Sequence, residues 1–131
     1  MQKVITMNPF EELFDTVNAI EYLNANGKKI ARITLKKNYS HLGRLLNART
    51  KVYLKRELDA FIAGEDYTPD PDYESAIFDN LFTTEQVADM LNVSYANMRQ
   101  IMSRGQIEYQ KFGNTPLFIQ QFIDDYQEKT S

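Results

Sequence analysis

From residue 81 onward, apolar residues recur at intervals of three and four, and the rhythm breaks where turn-forming residues stand. Thr83 followed three residues later by Gln86 has the pattern of a capping box, and Val87, Met90 and Leu91 follow at helical spacing, which predicts a first short helix. Asn92-Val93-Ser94 interrupts it. Ser94 is a good N-cap, and Met98, Ile101 and Met102 form the apolar stripe of a second helix that ends at Gly105. Residues 106–110 and 117–119 read as two short strands around Phe112-Gly113-Asn114-Thr115-Pro116, whose Gly-Asn supplies the turn. Over residues 120–127, Phe122, Ile123 and Tyr126 alternate with acids at helical spacing and predict a closing helix.

The first half carries a looser version of the same order. Asp15 is placed to cap a helix running through Leu23, and residues 24–33 form a longer, more basic connection. Thr34 then has the position of a cap, with Leu35, Asn38, Tyr39 and Leu42 at i, i+3, i+4 and i+7, so that Lys36, Lys37, Ser40 and His41 face outward and Gly43 ends the helix. The alternative is a strand over residues 29–35, which alternate in part. Residues 44–46 and 51–54 predict a tight hairpin around Asn47-Ala48-Arg49-Thr50, and residues 56–62 a last helix.

These two halves are an internal repeat. Residues 13–24 match residues 81–92 at an offset of 68, and residues 52–61 match residues 117–126 at an offset of 65, so the middles differ by three residues. Helix, turn, helix, hairpin, helix is the order of a winged helix-turn-helix. The expected fold is therefore mainly α with small β-hairpin wings (α+β), built as two tandem winged helix-turn-helix units with an internal pseudo-twofold: residues 1–63, strongly basic, and residues 81–131. Between them residues 64–80, with Pro-Asp-Pro and the middle acids, read as a linker in which Tyr73, Ile77 and Phe78 can dock onto a neighbour.

Charge sharpens this division. The 131 residues carry 15 Lys/Arg and 18 Asp/Glu, a net charge of -3 that argues against nucleic acid only if it is evenly spread. Residues 1–65 hold 11 bases against 7 acids, whereas residues 66–80 hold 5 acids and no base. Between Glu21 and Glu57 stand ten positive charges and no acid. Cysteine is absent and His41 is the single histidine, which removes thiol, disulfide and multi-histidine metal chemistry. No glycine-rich phosphate loop and no catalytic constellation around His41 is visible, so neither enzyme activity nor a cofactor is expected. No apolar run approaches a membrane span, and residues 1–10 lack the apolar core of a signal peptide, so a cytoplasmic protein is expected.

Residues 81–126, LFTTEQVADMLNVSYANMRQIMSRGQIEYQKFGNTPLFIQQFIDDY, resemble the excisionase-like and MerR-like winged helix-turn-helix family, in which Leu-Thr-x-x-Glu/Gln-Val-Ala-x-x-Leu-x-Val-Ser precedes a recognition helix, Arg-Gly, a hairpin wing and a final helix. The family places its second helix in the major groove and its wing on the backbone or minor groove, so the resemblance implies sequence-specific binding of double-stranded DNA. The first half departs from the pattern in its longer turn. The tandem layout is similar to that of the TraN-type DNA-binding proteins of Gram-positive conjugative plasmids, which implies a regulator or accessory factor binding near a transfer origin. A phage excisionase or transcriptional regulator shares the same chemistry.

Within that frame the candidate residues follow from what DNA presents. Phosphates call for Arg32, Lys36, Lys37 and Arg44, with Arg49 and Lys51 at the wing tip, and Ser40 and His41 are the base-edge candidates of the first unit. In the second unit Tyr95, Asn97, Arg99, Gln100 and Arg104 project from the recognition helix, where Asn or Gln pairs with adenine and Arg with guanine, and Lys111 and Asn114 on the wing reach the backbone. The expected partner is duplex DNA, with other transfer or regulatory proteins alongside it, no membrane, and one chain acting as an internal dimer. A protein-interaction adaptor of the antirepressor kind, using the acidic stretch and acidic second unit, is the alternative. Structured RNA fits less well because its major groove is closed to a helix.

Overall fold

Asp15 turns the chain into its first helix: its carboxylate accepts the Asn18 N–H at 2.8 Å, as the sequence predicts. This is a computed structural model, and it describes residues 8–47 and 49–130. Ala48, which the sequence assigns to the first hairpin turn, and residues 1–7, on which the leader reading rests, lie outside the described residues. By contacts the chain divides into a first unit that ends at Ile77 and a second that begins at Phe78.

The first unit runs from a 3-10 turn at Pro9–Glu11 through β1 (Leu13–Asp15), α1 (Thr16–Ala25), α2 (Arg32–Asn38), β2 (Arg44–Leu45), β3 (Lys51–Leu54) and α3 (Lys55–Ala63) to α4 (Pro71–Phe78). Its antiparallel sheet has the order β1-β3-β2. The second unit follows with β4 (Phe82–Thr83), α5 (Thr84–Leu91), α6 (Tyr95–Ser103), β5 (Gln110–Phe112), β6 (Thr115–Phe118) and α7 (Gln120–Thr130). Its antiparallel sheet has the order β4-β6-β5, the same arrangement once more. The protein is thus mixed α+β, with seven α-helices and two small three-stranded antiparallel sheets among the described residues.

Cross-strand pairs fall where the two sequence offsets put them. Phe14 faces Tyr53 and Asp15 faces Val52 in the first sheet, while Phe82 faces Phe118 and Thr83 faces Leu117 in the second. β1 and β4, which precede the first helix of each unit, are elements that the hydrophobic pattern does not predict. Each joins a hairpin and turns it into a sheet that closes over the helices.

The cores are correspondingly built. Ala19, Leu23, Leu35, Leu42, Tyr53 and Leu58 pack together in the first unit; Val87, Ala88, Met98, Ile101, Ile107, Phe118 and Ile123 do so in the second. Each fully buried Leu, Ile, Met or Phe contributes about 1.5–3 kcal/mol, so α2 and α6 are held chiefly through Leu35 and Met98. In α5 the reciprocal cap forms, with Gln86 N–H donating to Thr83 Oγ1 at 3.3 Å and Thr83 N–H donating to Gln86 Oε1 at 2.8 Å. Its inward seam is Thr84, Val87, Ala88 and half-buried Leu91; Met90, expected in the apolar stripe, is 42% exposed.

Three expectations are corrected here. α2 begins at Arg32 with Ala31 at the N-cap and no side-chain cap, so Thr34 lies inside the helix and residues 29–35 are not a strand. The helix stops at Asn38, because Tyr39 leaves helical geometry at φ −126 and ψ 38; Ser40 and His41 therefore lie in the following turn, not on an outer helix face. Leu42 is buried from that turn, which is why its spacing from Leu35 imitates a helix.

Residues 64–80 are also more than a linker. Pro71 opens α4, where its missing N–H costs nothing, and the Asp70 carboxylate accepts the N–H groups of Asp72 at 3.1 Å and Tyr73 at 3.3 Å. Tyr73 and Ile77 are buried, the Tyr73 hydroxyl donates to Glu12 Oε1 at 2.9 Å, and the Arg56 guanidinium lies 3.9 Å from the Tyr73 ring centre. Burial and Glu12 push the Tyr73 hydroxyl pKa far above the ordinary tyrosine value. The acidic stretch is a helix seated on the basic unit.

Candidate nucleic-acid interface

In the second unit three connecting residues separate α5 from α6, and they suffice because Asn92 adopts the left-handed region (φ 57, ψ 45), donating its N–H to the end of α5. Ser94 then caps α6, its Oγ accepting the Asn97 N–H at 3.1 Å. With Met98 and Ile101 inward, α6 turns Tyr95, Arg99 and Ser103 along one flank, about 100° apart per residue.

That flank and the hairpin enclose a shallow groove. Tyr95 and Arg99 line it from the helix, Lys111 and Asn114 from the hairpin, and Thr84, Met102, Ser103, Tyr109 and Pro116 complete its walls. Four of the seven candidates of this unit are thereby brought together. Gln100 points outward and Asn97 turns to the opposite flank, both exposed, while exposed Arg104 stands at the C-cap just past the helix end. Tyr109 is a groove residue that the sequence reading misses. It is 37% exposed two residues after buried Ile107, and an exposed aromatic just before a hairpin is the signal that marks it. The groove offers a guanidinium, an ammonium, an amide and two aromatic rings to one ligand, a set suited to base edges and phosphates.

The first unit presents a different surface. Counting from the buried pair Leu35 and Met98, Arg32 takes the place of Tyr95, Lys36 of Arg99 and Lys37 of Gln100; all three cations are exposed on α2. Exposed Arg49 stands in the β2–β3 connection, where Asn47 Oδ1 accepts the N–H groups of Arg49 and Thr50, each at 2.9 Å. His41 is exposed, edge-on to Tyr39 with ring centres 6.3 Å apart, in a cleft shared with Lys28, Glu57, Phe61 and Tyr67.

Two candidate phosphate contacts are engaged within the chain. Lys51 Nζ donates to the Ser40 carbonyl at 2.9 Å and lies 5.6 Å from the Tyr53 ring centre, so it fastens the turn after α2 to the hairpin. Arg44 Nη2 pairs with Glu74 Oε1 of α4 at 2.6 Å. Tyr67 donates to the other Glu74 oxygen at 2.8 Å. Burial raises the Glu74 pKa, but the hydrogen bonds from Arg44 and Tyr67 and the Arg44 charge outweigh it and hold the carboxyl below its ordinary value. Burial and the same carboxylate push Tyr67 up to about 12. Because the folded pKa of Glu74 is depressed, its contribution to stability is present above the ordinary carboxylate range and is lost as pH falls through the lower folded value.

Among the described residues no group of three or more His, Asp or Glu is placed to hold a metal ion, and no helix is long and apolar enough to cross a membrane. No family model, no curated protein and no solved structure matches the chain.

Proposed function

We propose that this chain is a tandem winged helix-turn-helix protein that binds double-stranded DNA in a sequence-specific way, with α6 and α2 as its recognition helices. What carries the reading is the recurrence, in both units, of one element order and one sheet order, with exposed polar or cationic residues on the second helix of each. In the second unit that helix and the hairpin meet in the groove of Tyr95, Arg99, Lys111 and Asn114. The division of labour follows from chemistry: Arg32, Lys36, Lys37 and Arg49 supply phosphate contacts, and the second unit supplies groups that distinguish bases.

With both units on one duplex, a single chain does what dimeric repressors do with two, and its footprint spans about 20 base pairs. The tandem layout supports a role as regulator or accessory factor of conjugative transfer, acting near a transfer origin. Selection of bound duplexes from a random pool, followed by footprinting, tests this reading. The expected result is a recurrent sequence protected over about two helical turns with affinity falling steeply with salt. Equal binding of selected and random duplexes, or none at low salt, would reject it.

Arg44 gives a further expectation. Glu74→Gln removes the charge that holds it, and binding should strengthen several-fold, up to the roughly eightfold that one added phosphate contact supplies near 0.1 M salt. Unchanged affinity in the variant would show that Arg44 does not reach the duplex.

A second reading, the protein-interaction adaptor, is favoured by the cleft of the second unit in which Glu108, Asp125 and Glu128 stand around Phe122 and Tyr126. It gives the acidic unit the leading role and leaves the α2 cations without one.

A further inference from the structure

With Leu35 as the inward direction of α2, Ile33 and Lys37 straddle the line farthest from the core, about 160° to either side of it. Lys37 belongs there and Ile33 does not: an aliphatic side chain 69% exposed, on a helix whose other outward residues include Arg32, Lys36 and Lys37.

Folding does not account for it. Ile33 is absent from the packed cluster of the first unit, and a β-branched residue near the start of a seven-residue helix without a side-chain cap weakens that helix. The same position in α6, two residues before the buried methionine, holds exposed Ala96, again apolar. Each helix thus sets an apolar group at its outermost point.

The chemistry around Ile33 selects its partner. The cations of the same helix, Arg32, Lys36 and Lys37, favour a polyanion over the apolar face of a protein, and the one large apolar feature that duplex DNA offers to a helix in its major groove is the thymine C5-methyl group. We infer that Ile33 is a specificity-determining residue that reads a thymine through that methyl group. It takes the role first assigned to Ser40 and His41, which lie off the helix. This inference deepens the duplex-binding reading and rests on it.

Deoxyuridine, which is thymidine without the methyl, tests it directly. The full chain and Ile33→Ala are titrated against the selected duplex and against copies in which one thymine at a time is replaced by deoxyuridine. Ile33 is exposed, so the alanine variant should fold as the native chain does, checked by its circular dichroism and unfolding midpoint. At one position the native chain should lose about fourfold in affinity on loss of the methyl, the equivalent of one buried methyl group. Ile33→Ala should bind both forms equally at that position, while keeping the discrimination at others.

A native chain indifferent to every replacement overturns the inference but leaves sequence-specific binding standing, as does a variant that keeps the full fourfold difference. Failure of every duplex to bind overturns both. Self-association of the native chain that Ile33→Ala abolishes, with no effect of deoxyuridine, would assign Ile33 to a contact between copies and overturn the inference as well.

Discussion

Reversing the charge of Lys36 and Lys37 together, in Lys36→Glu/Lys37→Glu, is expected to weaken duplex binding by about a hundredfold near 0.1 M salt. Each phosphate contact releases roughly 0.9 of a counterion, which near 0.1 M salt corresponds to about eightfold in affinity; two contacts give about sixtyfold, and repulsion between the new carboxylates and the backbone adds to it. The plot of log affinity against log salt should become shallower by about 2. Both side chains are exposed and α2 is anchored by Leu35, so the unfolding midpoint should change little. Lys51 makes a useful contrast. Its ammonium ties the Ser40 carbonyl to the hairpin, so Lys51→Glu should perturb the unfolding transition, which the Lys36 and Lys37 changes should not. Affinity within twofold of the native chain in the double variant, with capture of a protein partner intact, would transfer the function to the adaptor reading.

What the sequence discloses and what it hides divide along the range of the interactions involved. The caps at Asp15, Thr83 and Ser94 are local: a side-chain oxygen and an N–H two or three residues away are enough to form them, and all three form. The pairing of Phe14 with Tyr53 and of Phe82 with Phe118 is long-range, yet the offsets already place both pairs at corresponding sites because the repeat copies the pattern of the partners. The strands that hold Phe14 and Phe82 escape notice because three and two residues show no alternation. Ser40 and His41 are misplaced for the opposite reason, since Leu42 keeps a helical spacing from Leu35 although the chain has left the helix. The engagement of Arg44 with Glu74 joins groups 30 residues apart, and it depends on α4, whose starting signal, Asp70-Pro71, reads equally well as a break. Of the candidate interface, the positions of Tyr95, Arg99, Lys111 and Asn114 on a helix and a hairpin are legible in the sequence, whereas the turn position of Ser40 and His41 and the intramolecular engagement of Arg44 and Lys51 are not.

Gly43 and Gly64 have the same positive φ, +74, and differ in what a side chain would meet there. At Gly64, which ends α3 with its N–H directed to Ala60 and Phe61, an added Cβ has nothing within 4 Å, so Gly64→Ala should cost only the left-handed conformation of a non-glycine residue, about 1 kcal/mol. At Gly43 the same Cβ would stand 2.7 Å from the Val52 carbonyl oxygen and 2.8 Å from the Tyr53 ring. Neither can yield easily: Val52 is fixed by the sheet between Asp15 and Arg44, and Tyr53 is 1% exposed. The Gly43 N–H, which donates to Glu57 Oε1 at 2.8 Å, would move with any backbone adjustment. Conformational strain and overpacking together should make Gly43→Ala cost about 3 kcal/mol, read as the difference in unfolding free energy from urea titrations of the two variants and the native chain. Equal costs would mean that the first hairpin is free to shift away from Gly43. The larger cost would tie the position of the first hairpin to the turn after α2, and through it the exposed Arg49 to the same rigid frame that presents Lys36 and Lys37.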